Sequence, residues 1–353
     1  MNFDIVTFGS LLITEPMMTI VVILNLGIIV VNGATDAPNA ISTVVSTRSL
    51  TPRQAIIMAA LCNVVGLVVI SLFNTAVAAT IFNMVDFGGD SHTALVAVLA
   101  AMVAIIVWGL AAWYFGMPSS QSHSLIAGLT GAAIALQGGI AGINGAEWMK
   151  VIYGLLLSTF MGFGLGWLGA KAIQKVFARF DRRKLNKGFR YAQIGTSAAA
   201  AFMHGAQDGQ KFLSIMILAI ALSLGNDVHE AADLSDMPIW LMLLAASFMG
   251  LGTAIGGERI IKNVGLKMTH LDLYQGFAAS ASSVTCLITA TFTGMPISTT
   301  HANSTAIMGV GAAKRVKAVK WDLVRDMALS WVLAFPGCGL MGWLFAEAFF
   351  LIL

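Results

Sequence analysis

Two polar motifs each occur twice in this chain, once per half, inside segments apolar enough to sit in a lipid bilayer. The first pair is Asn32-Gly33-Ala34-Thr35-Asp36-Ala37-Pro38-Asn39 and His204-Gly205-Ala206-Gln207-Asp208-Gly209-Gln210-Lys211. The second is Met117-Pro118-Ser119-Ser120-Gln121-Ser122-His123 and Met295-Pro296-Ile297-Ser298-Thr299-Thr300-His301. A carboxylate in hydrocarbon is costly, so a chain that places one there twice is holding something charged. Duplicated halves with polar breaks in their helices build one shared site at mid-membrane in many carriers.

Composition settles the class. Hydrophobic residues make up 58% of the 353 and charged residues 10%, with a mean hydropathy of +0.83. A soluble domain carries about 25% charged residues, so the expectation is an all-α, polytopic membrane protein. A net charge of +3 is too small to point to nucleic acid. Cys62, Cys286 and Cys338 lie scattered in apolar stretches without ligand spacing, and read as small core residues. The first 16 residues carry no Lys or Arg, so the first apolar segment reads as a permanent span rather than a cleaved signal.

Apolar runs near the spanning length of about 20 residues occur at 17–47, 54–75, 93–115, 118–137 and 149–170. A second set follows at 191–224, 237–257, 272–293, 296–313 and 326–350. The first run of each set is overlong and contains a Gly-x-x-Asp near its middle, which suggests a broken helix in both. Eighteen of the twenty Lys and Arg fall in four clusters: Arg48 and Arg53; eight from Lys171 to Arg190; Arg259, Lys262 and Lys267; and five from Lys314 to Arg325. Short basic loops stay in the cytoplasm. Ten crossings with both chain ends outside the cell membrane place every cluster inside. Only Lys150 and Lys211 then lie elsewhere.

Five crossings per half is odd, so the second half enters with the opposite orientation. Asp36 to Asp208 is 172 residues and His123 to His301 is 178, in line with one inverted repeat over 1–170 and another over 191–353. The basic stretch 171–190 reads as a cytoplasmic linker loop between them. The Ser-rich motifs start the fourth and ninth runs, near a membrane face. Their hydroxyls reach mid-membrane only if the Met-Pro junction turns inward, as a re-entrant or broken helix covered by protein.

Gly33 and Gly205 let the backbone turn or approach a ligand, and Asp36 and Asp208 add full negative charges three residues later. A helix cap is the plain alternative for each Asp. Asn39 lies one turn after Asp36 on the same face; its counterpart is Lys211, the only basic residue deep in the membrane. Asn32 opens the first motif and joins the candidates for holding a coupling ion. Ser119, Ser120, Gln121 and Ser122, and then Ser298, Thr299 and Thr300, present neutral donors on adjacent positions. Such an array suits an oxyanion with several acceptor oxygens, although these hydroxyls could instead join neighbouring helices. His123 and His301 are candidates for moving a proton or for structural hydrogen bonds. Asn63 and Asn74 read as interhelical hydrogen bonders, and Trp148, Trp240 and Trp321 fit interfacial belts.

At these residues the chain resembles the PiT family of inorganic phosphate transporters, in its bacterial low-affinity type. The stretch Asn32 to Thr43 is similar to the family's first repeat motif and His204 to Lys211 to its second. The Pro-Ser-Ser-Gln-Ser-His and Pro-Ile-Ser-Thr-Thr-His stretches resemble its two hairpin motifs. The resemblance covers about 17–350, with four motifs in order. It implies an inverted-repeat carrier, not an enzyme, that moves inorganic phosphate with a coupling cation. It assigns Asp36, Asn39 and Asp208 to ion and phosphate binding and the 119–122 and 298–300 donors to phosphate. The commonest pattern has Asn before each Asp; here Thr35 and Gln207 stand there.

Hydrogen phosphate carries about −2 near neutral pH. With both acids ionised and Lys211 charged, the site holds about −3, too costly to bury unless positive charge arrives with the cargo. The expectation is therefore coupling to H⁺ or to Na⁺ held near Asp36 and Asp208, or Mg²⁺ entering as a metal–phosphate complex. Lys211 can stand in for one cation, which favours protons. A sulfate permease is the nearest rival; sulfate has no proton to give a carboxylate. An intramembrane hydrolase would need one asymmetric nucleophile and base, whereas every group here is doubled. The partners expected are phosphate and the lipid bilayer, with no resident cofactor. A homo-oligomer is left open.

Overall fold

The computed structural model describes residues 4–88, 90–115, 120–224, 237–255, 261 and 268–353, leaving aside the side chains at 113, 115 and 182–184. Ser119, with the Met117-Pro118 junction, and the basic cluster Arg259, Lys262 and Lys267 lie outside the described residues. Among the described residues the regular structure is helical, with one isolated bridge between Val85 and Ile143.

The first half contains α1 (Ile5–Thr14), α2 (Pro16–Thr35), α3 (Ala37–Ser46), α4 (Pro52–Phe73), α5 (Ala76–Asn83), α6 (Ser91–Phe115) and α7 (Gln121–Gln137). It closes with α8 (Gly145–Leu156), a π turn at Leu157–Met161, and α9 (Gly162–Val176). The second half contains α10 (Arg182–Ser223), α11 (Ile239–Ile255), α12 (Leu273–Phe292), α13 (Thr299–Lys314) and α14 (Trp321–Phe350). Local chemistry sets several starts. Thr51 and Gln54 form a capping box ahead of α4, with Pro52 at the first turn, where its missing amide costs nothing. Asp272 and Gln275 do the same for α12. Asp90 caps α6 through the amide and hydroxyl of Thr93, and these bonds hold its carboxyl below the usual carboxylate range.

The two long first helices differ, which corrects one expectation. Between α2 and α3 the helix is interrupted for one residue, at Asp36. In the second half α10 runs through Asp208 without a break, over 42 residues. Pro38 explains the difference: it has no amide to donate, and its ring crowds the preceding turn. The matching residue, Gln210, keeps its amide. The expected loop over 171–190 is also corrected. Helix α9 extends to Val176 and α10 begins at Arg182, so most of that basic stretch is helical.

Helices α12 and α13 form a hairpin. Lys314, at the end of α13, pairs with Asp272, which caps the start of α12, at 3.1 Å. The Lys320 amide, just beyond, donates to Met268 O at 3.1 Å. The tip, around Gly294 to Ser298, therefore lies at the far end, with Pro296, Ile297 and Ser298 buried. In the first half, Gln137 at the end of α7 reaches back to Asp86 O, ahead of α6. The described Ser and Thr of the two motifs thus lie buried at the starts of α7 and α13, at the ends of those helices away from Gln137 and Lys314.

Helix pairing repeats across the halves. Helix α2 packs on α11 as α10 packs on α4, and α7 packs on α14 as α13 packs on α9. Each half therefore covers its partner's apolar faces. The motif glycines serve this crossing rather than a turn. A side chain on Gly33 would strike the backbone of Met249 and Thr253 in α11, and one on Gly205 the backbone of Asn63 in α4. Ile57, Leu61, Val65 and Leu72 on α4 stay exposed, as do Leu329, Val332, Leu333 and Leu340 on α14. Among the described residues five helices are long and apolar enough to cross a membrane, and an apolar exterior of this kind suits lipid.

Candidate functional site

Asp36 sits at the α2–α3 break, 1% exposed. One carboxylate oxygen accepts from the Thr35 hydroxyl at 3.2 Å, the other from the Gln121 backbone amide at 3.3 Å. The start of α7 thus aims its first free amide at this acid, as a helix dipole favours. Asp208 is 0% exposed in the middle of α10. Its Oδ1 accepts from Lys211 Nζ at 2.7 Å and the Ser122 hydroxyl at 3.4 Å. Its Oδ2 accepts from Asn32 Nδ2 at 3.0 Å and the Thr299 hydroxyl at 3.4 Å, and faces His204 Nδ1 at 3.4 Å.

Gln121 and Ser122 are neighbours in the first turn of α7, and one touches each acid. That turn therefore brings Asp36 and Asp208 into a single site. From the other side, α13 offers Thr299 to Asp208 and Thr300 to Asn39, whose Nδ2 donates to the Thr300 hydroxyl at 2.8 Å. Lys211 spends its three donors on Asp208 Oδ1, Ser122 Oγ at 2.7 Å and the Ile297 carbonyl at 2.5 Å. The carbonyl comes from the second hairpin tip, so the ammonium ties both hairpins to α10.

The two acids are unlike in their surroundings. Asp208 has the buried Lys211 beside it, while among the described residues no basic side chain pairs with Asp36. The amide oxygens Asn32 Oδ1 and Asn39 Oδ1, from residues flanking Asp36 in sequence, are buried without a hydrogen-bond partner. Around Asp208 the matching positions hold nitrogen bases instead, His204 and Lys211. An orphaned buried acceptor is costly, and a small cation prefers oxygen ligands of this kind. Among the described residues no cluster of three or more His, Cys, Asp or Glu suits a metal ion.

A family model described as the phosphate transporter family matches residues 32–184 and 177–342. The chain belongs to the phosphate transporter family. It is 38% identical to a probable low-affinity inorganic phosphate transporter of Bacillus subtilis, over 94% of this chain and 96% of that one. A similarly named protein of Rhizobium meliloti is 34% identical over 88% of this chain and 90% of its own. A solved structure, titled the sodium-dependent phosphate transporter, shares the fold with a TM-score of 0.85. It covers 96% of this chain and 100% of the neighbour at 23% identity. The family's work is transport rather than catalysis, and this transporter is a membrane protein.

The remaining candidate residues of the transporter take other places. The Ser120 and Ser298 hydroxyls cap α7 and α13, accepting from the amides of His123 and His301. The imidazoles of His123 and His301 lie edge to face across the two helices, 5.8 Å between centroids. His301 Nε2 meets the Thr159 hydroxyl at 3.1 Å, and among the described residues neither imidazole forms a hydrogen bond or ion pair with Asp36 or Asp208. His204 is the residue that sequence reasoning passed over. Its Nδ1 meets the Thr299 hydroxyl at 2.9 Å as well as Asp208. The clue was positional, since His204 precedes Asp208 by four residues as Asn32 precedes Asp36.

Proposed function

We propose that the protein carries inorganic phosphate across the cell membrane together with a cation that binds at Asp36. The observation that carries this reading is the asymmetry of the acids: Asp208 is paired with Lys211, and among the described residues no basic side chain pairs with Asp36. Hydrogen phosphate, at about −2, brings net negative charge into a buried site, which needs a partner charge. The hydroxyls and amides at the starts of α7 and α13 that bond Asp36, Asp208 and Asn39 suit the cargo's oxygens once those bonds are exchanged. Exchanging one protein acceptor of Lys211 for a phosphate oxygen would bring the ammonium onto the cargo.

The coupling cation favoured is the proton, because Lys211 occupies the position that Asn39 has in the first half and so replaces one mobile ion. A second reading, Na⁺, draws on the unpartnered oxygens of Asn32 and Asn39 beside Asp36. Uptake of radiolabelled phosphate into proteoliposomes decides between them. Proton coupling requires that choline replace Na⁺ without loss and that collapsing the proton gradient stop uptake; the reverse result assigns Na⁺. Uptake that depends on Mg²⁺ under both conditions assigns a metal–phosphate cargo. Excess sulfate should leave uptake unchanged, and strong competition by sulfate would replace phosphate as the cargo.

The two halves act as inverted repeats rocking about the shared site, with both chain ends outside and the face bearing Arg48, Arg53 and Arg190 in the cytoplasm. Labelling single cysteines near each end with an impermeant reagent tests that orientation.

A further inference from the structure

A second group of polar side chains lies away from the acids, stacked along α3. Asn39, Thr43 and Thr47 succeed one another at intervals of four residues, on one helical face. Asn39 belongs to the central site through Thr300. One turn on, the Thr43 hydroxyl meets Ser280 of α12 at 2.7 Å and Ser197 of α10 at 3.4 Å, and those two serines are 3.3 Å apart. All three hydroxyls are buried. A further turn on, the Thr47 hydroxyl donates to Gln193 Oε1 at 2.9 Å, and Ser49 donates to the same oxygen at 3.2 Å.

The layers are in register on all three helices, because Gln193 and Gly276 each precede Ser197 and Ser280 by four residues. Eight residues of α3 cover about 12 Å, which leads from the central site to the face where Arg190 bonds Ser49 O. Two details are out of place in a seam built only for packing. Gln193 is fully buried, yet its Nε2 has no hydrogen-bond partner. Gly276 leaves room against that same Nε2, which a side chain there would strike, along with the Thr47 methyl. A buried donor without a partner is costly, and natural interiors keep few of them.

We propose that this seam is the passage between the central site and the basic-loop face, closed at the Thr43–Ser197–Ser280 layer, and that the layer is a transit site for the phosphate anion. Three neutral hydroxyls from three separate helices match one face of a tetrahedral oxyanion. Their bonds to one another seal the passage, and they are exchanged for bonds to cargo oxygens when α3 moves against α10 and α12. The Gln193 amide is the next donor on the way out. Among the described residues no carboxylate bonds to the side chains of the seam, unlike the central site. This inference rests on the phosphate-carrier reading above.

The test compares uptake with equilibrium binding of inorganic phosphate in the purified, reconstituted protein. Thr43→Val and Ser280→Ala should each lower the uptake rate about tenfold, the scale of a lost hydrogen bond to an anion. Binding at the central site should be unchanged, and Thr43→Ser should restore uptake. Gly276→Ala, which adds a methyl against Gln193 and Thr47, should slow uptake in the same way. It also serves should Thr43→Val fail to fold. Wild-type rates in Ser280→Ala and Gly276→Ala overturn the passage; binding that falls in parallel with uptake overturns the transit site by assigning these hydroxyls to the central one. A wild-type protein that neither binds nor carries phosphate refutes the carrier reading itself, before any variant is compared.

Discussion

The Lys211 ammonium stands 2.7 Å from the Asp208 carboxylate, and both side chains are fully buried. Each is also bonded outward: Lys211 to the Ser122 hydroxyl and the Ile297 carbonyl, Asp208 to Asn32 and Thr299. The pair is thus the knot at which α2, α7, α10 and the second hairpin tip meet. Removing one member of a buried pair leaves an uncompensated charge, whereas removing both does not.

Lys211→Met should therefore destabilise the protein by about 3–5 kcal/mol. The double variant Asp208→Asn with Lys211→Met should recover most of that loss while remaining inactive. Thermal unfolding in detergent, followed through a complete double-mutant cycle, reads the coupling. Equal loss in the single and double variants would contradict the pairing.

Asp36→Asn keeps the shape of the side chain; its oxygen can accept from the Gln121 amide while its NH2 donates to the Thr35 hydroxyl, which itself donates to Val31 O, so folding and insertion should survive. The charge that attracts the coupling cation is gone, and phosphate uptake should fall by at least about tenfold. Radiolabelled uptake at matched expression checks it.

Pro38→Ala restores an amide to the α2–α3 junction and removes the ring that interrupts the helix. The junction should then straighten toward the form seen around Asp208, drawing Asp36 away from the Gln121 amide. Uptake should drop while thermal stability holds or rises. A variant with normal uptake would mean that the break itself is dispensable.

Gly205→Ala places a methyl against the backbone of Asn63, where no side chain can yield. Overpacking at a helix crossing costs about 1–3 kcal/mol, and thermal unfolding should register it. By comparison, Gly195→Ala, on the same helix with nothing near its added methyl, should leave stability unchanged or slightly raised.

Much of this protein is legible in its sequence because the bilayer is a severe solvent. It demands long apolar helices, sorts basic loops to one side, and makes each buried acid conspicuous. The apolar, helical character of the chain and its doubled motifs follow from that demand alone, and family membership follows from the motifs. Tertiary structure decided what the motifs do locally. Both Gly-x-x-Asp sequences look like helix breaks, yet only the one with Pro38 is interrupted, since α10 can keep its hydrogen bonds through Asp208. Gly33 and Gly205 serve helix crossings, a role visible only once the facing backbone is known. His204 joined the site, while His123 packs on Phe335 and His301 on Trp331 of α14, because imidazole direction depends on which helices lie opposite. The seam below Asn39 is likewise invisible along the chain, its three hydroxyls being separated by 154 and 83 residues. Spacing along one helix fixes which side chains share a face, and only the packing of helices fixes what that face meets.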